Sequence, residues 1–413
     1  MKVAYYSPLP PERSGIADYS SLLLPALERR LEVAVVRRDT AEAPAADVSL
    51  YHIGNNPEFH DWIVETLWRA PGVVVLHELV LHHLVAGMTL ARDDPHGYVR
   101  ALERELGLPG RLLALGVLDG SVPPLWVARP EQFPLARFVL DHATGLIAHS
   151  RYVVEGARAA GYGGRAWRIP LAAPPRPSPL RPAALEGRPV IGCFGHITPP
   201  KRIPQLLEAF GRLLTSYPRA RLVLAGQVTP TYDLGEVISR ARLAASDAVT
   251  VEGYVDDDRL WALMAACDVC VSLRAPTMGE TSASALQSLA AGRPLVVSDV
   301  GWFSDLPDDV ALKIPVDRWE VDLLAAALDL LAGDPALRAA MSEAALDYVA
   351  AEHAVEHVAD LYAAALEVAA GGDALAEKVL GALAQAAAEI GIGPGSAELA
   401  EIARHARDAR IVA

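Results

Sequence analysis

The chain has 413 residues, of which 52% are hydrophobic and 21% charged, and its formal net charge is −14. This length exceeds what one ordinary core fills, so two or three domains are expected. The acidic balance argues against a nucleic-acid partner, because phosphate backbones need a basic footprint. Acids and bases nearly cancel up to about residue 168, so the N-terminal half can still approach an anionic surface, including peripheral contact with a membrane.

The N-terminal half alternates short apolar runs with helical patterns. The runs predict strands at residues 3–6, 33–36, 48–53, 73–76 and 145–148, with helices at 19–30 and 59–69 among the segments between them. Such alternation with continuous apolar strands predicts a parallel sheet covered on both faces. Because the first strand starts at Lys2, we expect no signal peptide. The sequence contains no uninterrupted run of about 20 apolar residues, so we expect no membrane-spanning helix.

A proline-dense stretch, residues 170–187, interrupts this rhythm and predicts a linker. The rhythm then restarts, with strands at 190–194, 221–225, 249–251, 269–273 and 295–298, and helices at 202–217 and 259–267 among them. We therefore predict an α/β protein with two doubly wound, Rossmann-like domains, residues 1–169 and 188–352, that face a cleft. The pattern of residues 353–413 predicts a C-terminal helical extension. It packs on the two domains or forms a contact between subunits, and in the second case the protein is a homo-oligomer.

Three groups of residues resemble metal ligands but have simpler explanations. Cys267 and Cys270 lie where a helix end enters a buried strand, and no second Cys/His pair completes a zinc site. The acidic run 256–258 opens a helix, where acids favour the helix dipole. His353 and His357 fit a solvated helix face. We expect reduced thiols in a cytoplasmic protein, with neither a metal nor another cofactor.

Two turns in the second half combine features of an anion site. Gly195 lies between a strand and a helix, with Lys201 at the helix mouth, and residues 278–282 place Glu280 before another amphipathic helix. Free amides at a helix start, a cation and a carboxylate can hold a phosphate and a sugar hydroxyl together. A glycine–lysine turn alone fits a solvated surface lysine equally well.

Together these turns resemble the donor site of the retaining glycosyltransferases of family 4. The matches are Gly195, Ile197 and Lys201, then Gly253-Tyr254-Val255, then Gly292 and Pro294. The resemblance covers nearly the whole chain up to about residue 365 and implies a GT-B fold, a nucleotide diphosphate sugar as donor and no metal. It implies donor-binding roles for Gly15, His196, Lys201, Arg202, Tyr254, Val255, Glu280, Thr281, Ser282 and Gln287.

The resemblance assigns chemistry to individual residues. Lys201 would neutralise the diphosphate, Glu280 would hold the sugar hydroxyls, and the amides of Thr281 and Ser282 would meet sugar or phosphate. Tyr254 and Val255 would lie against the nucleobase.

The second half departs from the family pattern in three places. His196 replaces the family's diphosphate arginine, so half of the positive clamp is either missing or supplied by Arg202 or Arg274. Gln287 replaces the second acid and lacks its charge-assisted bond. Glu280 precedes Gln287 by seven residues, one fewer than in the family, so the loop must be reshaped.

In the first half, residues 6–19 resemble the family's strand-one loop, whose glycine is Gly15 here. His77 follows the strand 73–76, where a family histidine reaches the donor sugar. His77 and Glu280 are the predicted catalytic residues. Ser14, Asn55 and Asn56 are predicted acceptor contacts. Simpler readings are an unliganded turn glycine at Gly15 and a plain asparagine turn before Pro57.

The predicted function is retaining transfer of a sugar from a nucleotide diphosphate sugar to an unidentified acceptor, which is a glycan, a lipid-linked molecule or a small molecule. The reaction would take place in the cytoplasm or at the inner face of the membrane. Two alternatives stay open. A sugar-nucleotide 2-epimerase shares the architecture but needs further cleft carboxylates, and a non-catalytic nucleotide-sugar binding protein would explain His196 and Gln287.

Overall fold

The computed structural model describes residues 1–40, 43–243, 247–371, 373–389, 391–393 and 396–408. The chain forms two compact units. The first comprises Met1–Pro170, Met278–Thr281 and Val358–Ala413, and the second comprises Leu171–Thr277 and Ser282–His357. Glu280, which the predicted boundaries put with residues 188–352, therefore lies in the first unit. The predicted boundaries themselves and the cleft stay predictions.

The first unit is built on a six-stranded parallel sheet in the order β2-β1-β3-β4-β5-β6. Its strands are β1 Lys2–Tyr6, β2 Glu32–Val36, β3 Val48–Ile53, β4 Gly72–Leu76, β5 Ala143–Ala148 and β6 Ala166–Arg168. Strand β4 is buried along its whole length, as expected of a central parallel strand covered on both faces. The α/β prediction for this half is confirmed, and β6 is an additional edge strand.

The helices of the first unit are α1 Gly15–Leu27, α2 Pro57–Arg69, α3 His82–Met88, α4 Pro95–Leu106, α5 Leu108–Asp119, α6 Leu125–Ala128, α7 Arg137–Leu140 and α8 Arg151–Ala159. Helices α1, α2, α4 and α8 begin at residues whose side chains cap them. The Ser14 side chain accepts from the Ala17 amide at the start of α1, and the Asn56 side chain accepts from the Glu58 amide at the start of α2. Such caps satisfy helix-start amides that have no partner within the helix.

The helices α3 to α7 form an insertion between β4 and β5 that the sequence analysis did not predict. They enclose a small core of their own, formed by Val85, Tyr98, Leu102, Ala114, Leu125 and Leu135. The insertion lengthens the β4–β5 crossover without changing the parallel pairing of the two strands.

The second unit repeats the architecture, with a parallel sheet in the order β12-β11-β10-β7-β8-β9. Its strands are β7 Val190–Phe194, β8 Arg221–Ala225, β9 Val249–Gly253, β10 Val269–Ser272, β11 Leu295–Ser298 and β12 Ala311–Ile314. Its helices are α9 Ile203–Ser216, α10 Leu234–Arg240, α11 Asp257–Ala266, α12 Ala283–Ala290, α13 Glu320–Gly333 and α14 Pro335–Glu352. The prediction of two Rossmann-like domains is confirmed.

The C-terminal helical extension consists of α15 Val355–Ala370, α16 Asp373–Glu389 and α17 Ala397–Asp408. A Cβ on Gly381 of α16 would lie 2.4 Å from the Gly163 carbonyl oxygen, so α16 packs closely on the backbone near β6 within the first unit. One prediction here is wrong: His353 does not lie on a solvated helix face. It is buried at the end of α14, and its Nδ1 donates to the Leu171 carbonyl at 2.6 Å. Among the described residues, no helix is long and apolar enough to cross a membrane.

Candidate active site

The order of the second sheet places its turns where α/β sheets bind ligands. Strands β8 and β9 lie on one side of β7, and strands β10, β11 and β12 lie on its other side. The carboxyl ends of β7 and β10 therefore flank a topological switch point, at which ligands bind in open α/β sheets. Gly195 follows β7, and Ser282 precedes the helix that follows β10.

At this switch point, a buried lysine lies beside a glycine turn. Lys201 is only 3% exposed, and its Nζ donates to the Phe194 carbonyl at 2.5 Å. Gly195 has φ of 88°, and a Cβ there would lie 2.9 Å from the Ser284 Oγ and 3.3 Å from the Lys201 Nζ. Glycine thus permits both the positive φ and the close approach of an ammonium and a hydroxyl to the backbone.

A second glycine supports this turn from behind. A Cβ on Gly226, which follows β8, would lie 2.2 Å from the Gly195 carbonyl oxygen. The turn after β8 can therefore approach the Gly195 backbone this closely only with a glycine at position 226. The sequence analysis missed Gly226, although a glycine directly after a buried strand is a recognisable signal.

Helix α12 begins next to the same turn. The Ser282 Oγ accepts from the Ala285 amide at 3.3 Å and lies 3.3 Å from the Ser284 Oγ. The helix start, with its partial positive charge, lies near the hydroxyl that contacts Gly195. Lys201, Ser284 and the start of α12 together form a site suited to an anion.

Arg202 is held by another partner in the second unit. Its Nε donates to the Glu320 Oε1 at 2.6 Å, and its guanidinium also pairs with the other carboxylate oxygen of Glu320. Glu320 is buried at the start of α13. To reach a phosphate, as predicted, Arg202 would have to leave this two-pronged ion pair. The His196 side chain, which replaces the family arginine, is exposed.

The remaining predicted donor-side residues differ in exposure. Tyr254, after β9, is 80% exposed, and Val255 is partly buried. Gln287 is partly buried within α12. The acid Asp256 caps α11 by accepting from the Arg259 amide at 2.8 Å, as the sequence predicted. Within the described ranges, no group of three or more His, Cys, Asp or Glu side chains is placed to hold a metal ion.

Glu280 belongs to a loop that is hydrogen-bonded within the first unit. The amides of Leu79 and Val80 both donate to the Met278 carbonyl, at 2.8 and 3.0 Å. The Glu280 carboxylate accepts from the Met278 amide at 2.9 Å. Leu79 follows His77 by two residues, and Met278 precedes Glu280 by two. The segments that carry the two predicted catalytic residues are therefore hydrogen-bonded to each other.

Two further polar side chains concern this loop: Tyr152 of α8, which is affected by the charge of Glu280, and Thr281 of the loop itself. Burial first, and then the charges of Glu131 and Glu280, raise the pKa of Tyr152. The Thr281 Oγ1 is buried and has no hydrogen-bond partner among the described residues. A buried hydroxyl without a partner costs free energy, so Thr281 is suited to accept a ligand group.

His77 lies at the end of β4 in a cluster of buried rings. Its Nε2 is 3.0 Å from the Nδ1 of His52 in β3, and its ring centroid is 4.9 Å from that of His149, which follows β5. Tyr19 packs edge-on against both His77 and His149. Burial first, and then the neighbouring histidines, lower the pKa values of His77 and His52 well below the usual range, so both rings are neutral.

The predicted acceptor residues flank β1 and β3, the switch point of the first sheet. Ser14 and Asn56 cap helices, and the Asn55 side chain accepts from the Leu84 amide at 3.1 Å. Local structure thus already uses all three side chains. Gly15 is exposed, and a Cβ there would meet nothing within 4 Å, so space beside α1 is open.

The sequence analysis missed His52, His149 and Ser284 as members of these clusters. His52, His77 and His149 lie at the carboxyl ends of three adjacent parallel strands, β3, β4 and β5. That shared position could have identified the histidine cluster. Ser284 lies inside the predicted helix and gives no such signal.

Two Rossmann-like units with all-parallel sheets and a C-terminal helical extension define the GT-B fold. Solved structures with the same fold include the sucrose-phosphate synthase of Thermosynechococcus elongatus, with a TM-score of 0.59 at 19% identity over 89% of this chain and 98% of that one. Another is HepE of Anabaena, solved with UDP and glucose, with a TM-score of 0.58 at 16% identity over 89% of this chain and 99% of that one.

Residues 188–334 match the family model described as Glycosyl transferases group 1. The chain thus shares the GT-B fold, and its match to this family model lies in the second half. A curated relative, the 2-deoxystreptamine glucosyltransferase of Streptomyces kanamyceticus, is 27% identical over 43% of this chain and 44% of its own length. The match therefore spans less than half of that relative. Membership of family 4 in particular stays a prediction.

Proposed function

We propose that this protein transfers a sugar from a nucleotide diphosphate sugar to an acceptor hydroxyl with retention of anomeric configuration. The observation that carries the proposal is the buried Lys201 ammonium beside Gly195 and Ser284, at a switch point within the matched glycosyltransferase region. An ammonium carries three N–H donors, and a diphosphate would be a strong acceptor for one of them.

The donor is held by groups of both signs. Lys201, the Ser284 hydroxyl and the first amides of α12 take the diphosphate. Glu280 and Thr281 take the sugar hydroxyls: Glu280 as an acceptor, Thr281 through the buried Oγ1 that has no partner among the described residues. HepE was solved with UDP and glucose, so UDP-glucose is the first donor to test.

The proposed reaction proceeds on one face of the sugar. The bond from the anomeric carbon to the β-phosphate oxygen breaks, and the acceptor oxygen bonds to that carbon on the same face. The acceptor proton passes to the departing phosphate oxygen. Glu78, the acid next to His77, accepts from the Asn55 amide at 2.8 Å, which holds its carboxylate on the protein backbone; the proposed reaction uses no protein nucleophile. The protein contributes charge stabilisation and positioning.

The proposed acceptor is a small polyhydroxylated molecule. The curated relative is named for glucosyl transfer to 2-deoxystreptamine, which makes aminocyclitols the first acceptors to test. The open space beside Gly15 and the cluster around Asn55 are the proposed acceptor side. We further propose that the reaction needs no metal and takes place in the cytoplasm.

The test incubates the full chain with UDP-glucose, then with other nucleotide sugars, and with an aminocyclitol panel. Product NMR should show an α-glycoside, and EDTA should leave the rate unchanged. A β-glycoside would overturn retention, and a lost rate in EDTA would overturn metal independence. A nucleotide sugar epimerised at C2 would identify an epimerase, and tight donor binding without turnover would identify a binding protein.

A further inference from the structure

His52 is fixed deep in the first unit, against the residue proposed to meet the donor sugar. Its ring is fully buried, lies parallel to Tyr362 with an interplanar angle of 5°, and is 4.7 Å from the Tyr5 ring centroid. Its Nδ1 lies 3.0 Å from the Nε2 of His77. The surrounding rings therefore leave His52 one orientation, in which it meets His77 through a single hydrogen bond.

The other buried histidines of the cluster use their Nδ1 differently. The Nδ1 of His60 donates to the His52 carbonyl at 3.2 Å, and that of His149 donates to the Ile169 carbonyl at 2.9 Å. The Nδ1 of His52 instead meets a ring nitrogen, the Nε2 of His77, at 3.0 Å. Since both rings are neutral, one must donate and the other must accept.

The surroundings of the second His52 nitrogen decide the direction. The His52 Nε2 is buried and has no hydrogen-bond partner among the described residues. If His77 donated, His52 would carry its proton on this Nε2 as a buried N–H without an acceptor, which is rare in folded proteins. If His52 donates from Nδ1, its Nε2 carries only a lone pair. The second arrangement is therefore favoured.

We infer that His52 is a positioning residue that holds His77 as the tautomer protonated on Nδ1. His77 is 9% exposed, whereas His52, His60 and His149 are 0–2% exposed. His77 is thus the member of the cluster that borders solvent, and its Nδ1–H is the group it can offer. The inference rests on the proposed function only for the identity of the ligand.

The consequence is that His77 acts as a hydrogen-bond donor and not as a base. Its Nε2 is occupied by His52, and its Nδ1 already carries a proton. A donor of this kind suits a sugar hydroxyl oxygen or an oxygen that becomes more negative during transfer. The proton carried by His77 is not consumed, because the acceptor proton leaves on the phosphate.

The test reads the tautomer directly, by two-bond ¹H–¹⁵N correlation spectra of the full chain with ¹⁵N-labelled histidine. We expect wild-type His77 to be protonated on Nδ1. His52→Phe keeps the ring packing but removes the donor, and should shift His77 toward the Nε2-protonated form. His52→Asn restores an N–H near the position of Nδ1 and should restore the wild-type spectrum. His149→Phe, which also loses a buried ring nitrogen and its bond to a carbonyl, should leave the tautomer unchanged.

Activity gives a second reading. His52→Phe should lower kcat by roughly five- to tenfold, the range expected for one hydrogen bond, and leave UDP affinity unchanged, and His52→Asn should recover most of the loss. An Nε2-protonated His77 in the wild type, or equal tautomer shifts in His52→Phe and His149→Phe, would overturn the inference. The spectra do not depend on turnover, so failure of the proposed reaction would be seen separately.

Discussion

Lys201 is the buried cation beside the Gly195 turn. Lys201→Met keeps the apolar stem and removes the charge. We expect nucleotide diphosphate affinity to fall by about 1.5–3 kcal/mol, the range for hydrogen bonds to charged groups, measured as the UDP Kd by calorimetry. Lys313→Met is the matched control, because the Lys313 Nζ also donates to a backbone carbonyl, that of Leu306, in the same unit. Equal UDP affinity in wild type and Lys201→Met would remove Lys201 from the site.

Glu280 contributes an acceptor to the Met278 amide and a negative charge near Tyr152. Glu280→Gln retains the acceptor, so the loop should stay in place while the charge is lost. We expect turnover to fall and the Kd of free UDP to stay within about twofold, since the charge acts on the sugar. Glu131→Gln is the control, because Glu131 is the other acid that raises the pKa of Tyr152. Comparable losses for UDP and UDP-glucose would assign Glu280 to the nucleotide instead.

At the scale of elements, the turn between β7 and α9 depends on glycine. Gly195→Ala places a Cβ in a left-handed conformation, which costs about 1–2 kcal/mol, and crowds both Ser284 and Lys201. We expect lower stability to urea and weaker UDP binding together. Gly211→Ala, within α9 and with nothing within 4 Å of the added Cβ, should instead stabilise by about 0.5–1 kcal/mol. A Gly195→Ala protein that binds UDP normally would contradict this role for the turn.

The elements also show which features the sequence can predict. Strands such as β4 and β11 were predicted because buried parallel strands are unbroken apolar runs. The insertion α3 to α7 was missed, since its small core forms from residues spread over some fifty positions. The local hydrophobic pattern predicts a strand or helix whose residues are buried continuously along the chain. It does not predict an insertion in which several short helices bury one another.

The candidate site shows the same limit for side chains. Gly195 and Lys201 were found because they lie in one turn, close in sequence. The partner of Arg202 is Glu320, 118 positions away, and that of His77 is His52, in the neighbouring strand. No periodicity links such pairs, so the sequence could suggest that Arg202 and His77 carry chemistry but not what holds them.

For the whole molecule, the buried histidines predict acid sensitivity. Burial lowers the pKa of His60 to about 4 and those of His52 and His77 well below the usual range. The unfolded chain binds protons at these histidines below about pH 6.5, while the folded chain does not. The contribution of these histidines to the free energy of unfolding is therefore fully present above that pH. It is lost as the pH falls toward 4, by up to about 1.4 kcal/mol per pH unit for each histidine.

Urea unfolding at pH 7.5, 6 and 5 measures this loss. His60→Phe removes one depressed pKa and should give a shallower dependence on pH than the wild type. A free energy of unfolding that is equal at pH 7.5 and pH 5 would contradict the prediction.

The shared carbonyl of Met278 makes two backbone amides reporters of a remote loop. Leu79 and Val80 both donate to it, although almost two hundred positions separate them from it in sequence. Any opening that releases this loop frees both amides at once, so their exchange with deuterium should show one common protection factor. A donor sugar held by Glu280 would restrain the loop, and that common protection factor should rise. Solvent exchange at two positions just after β4 would thus reveal occupancy at residue 280 without a label on the ligand.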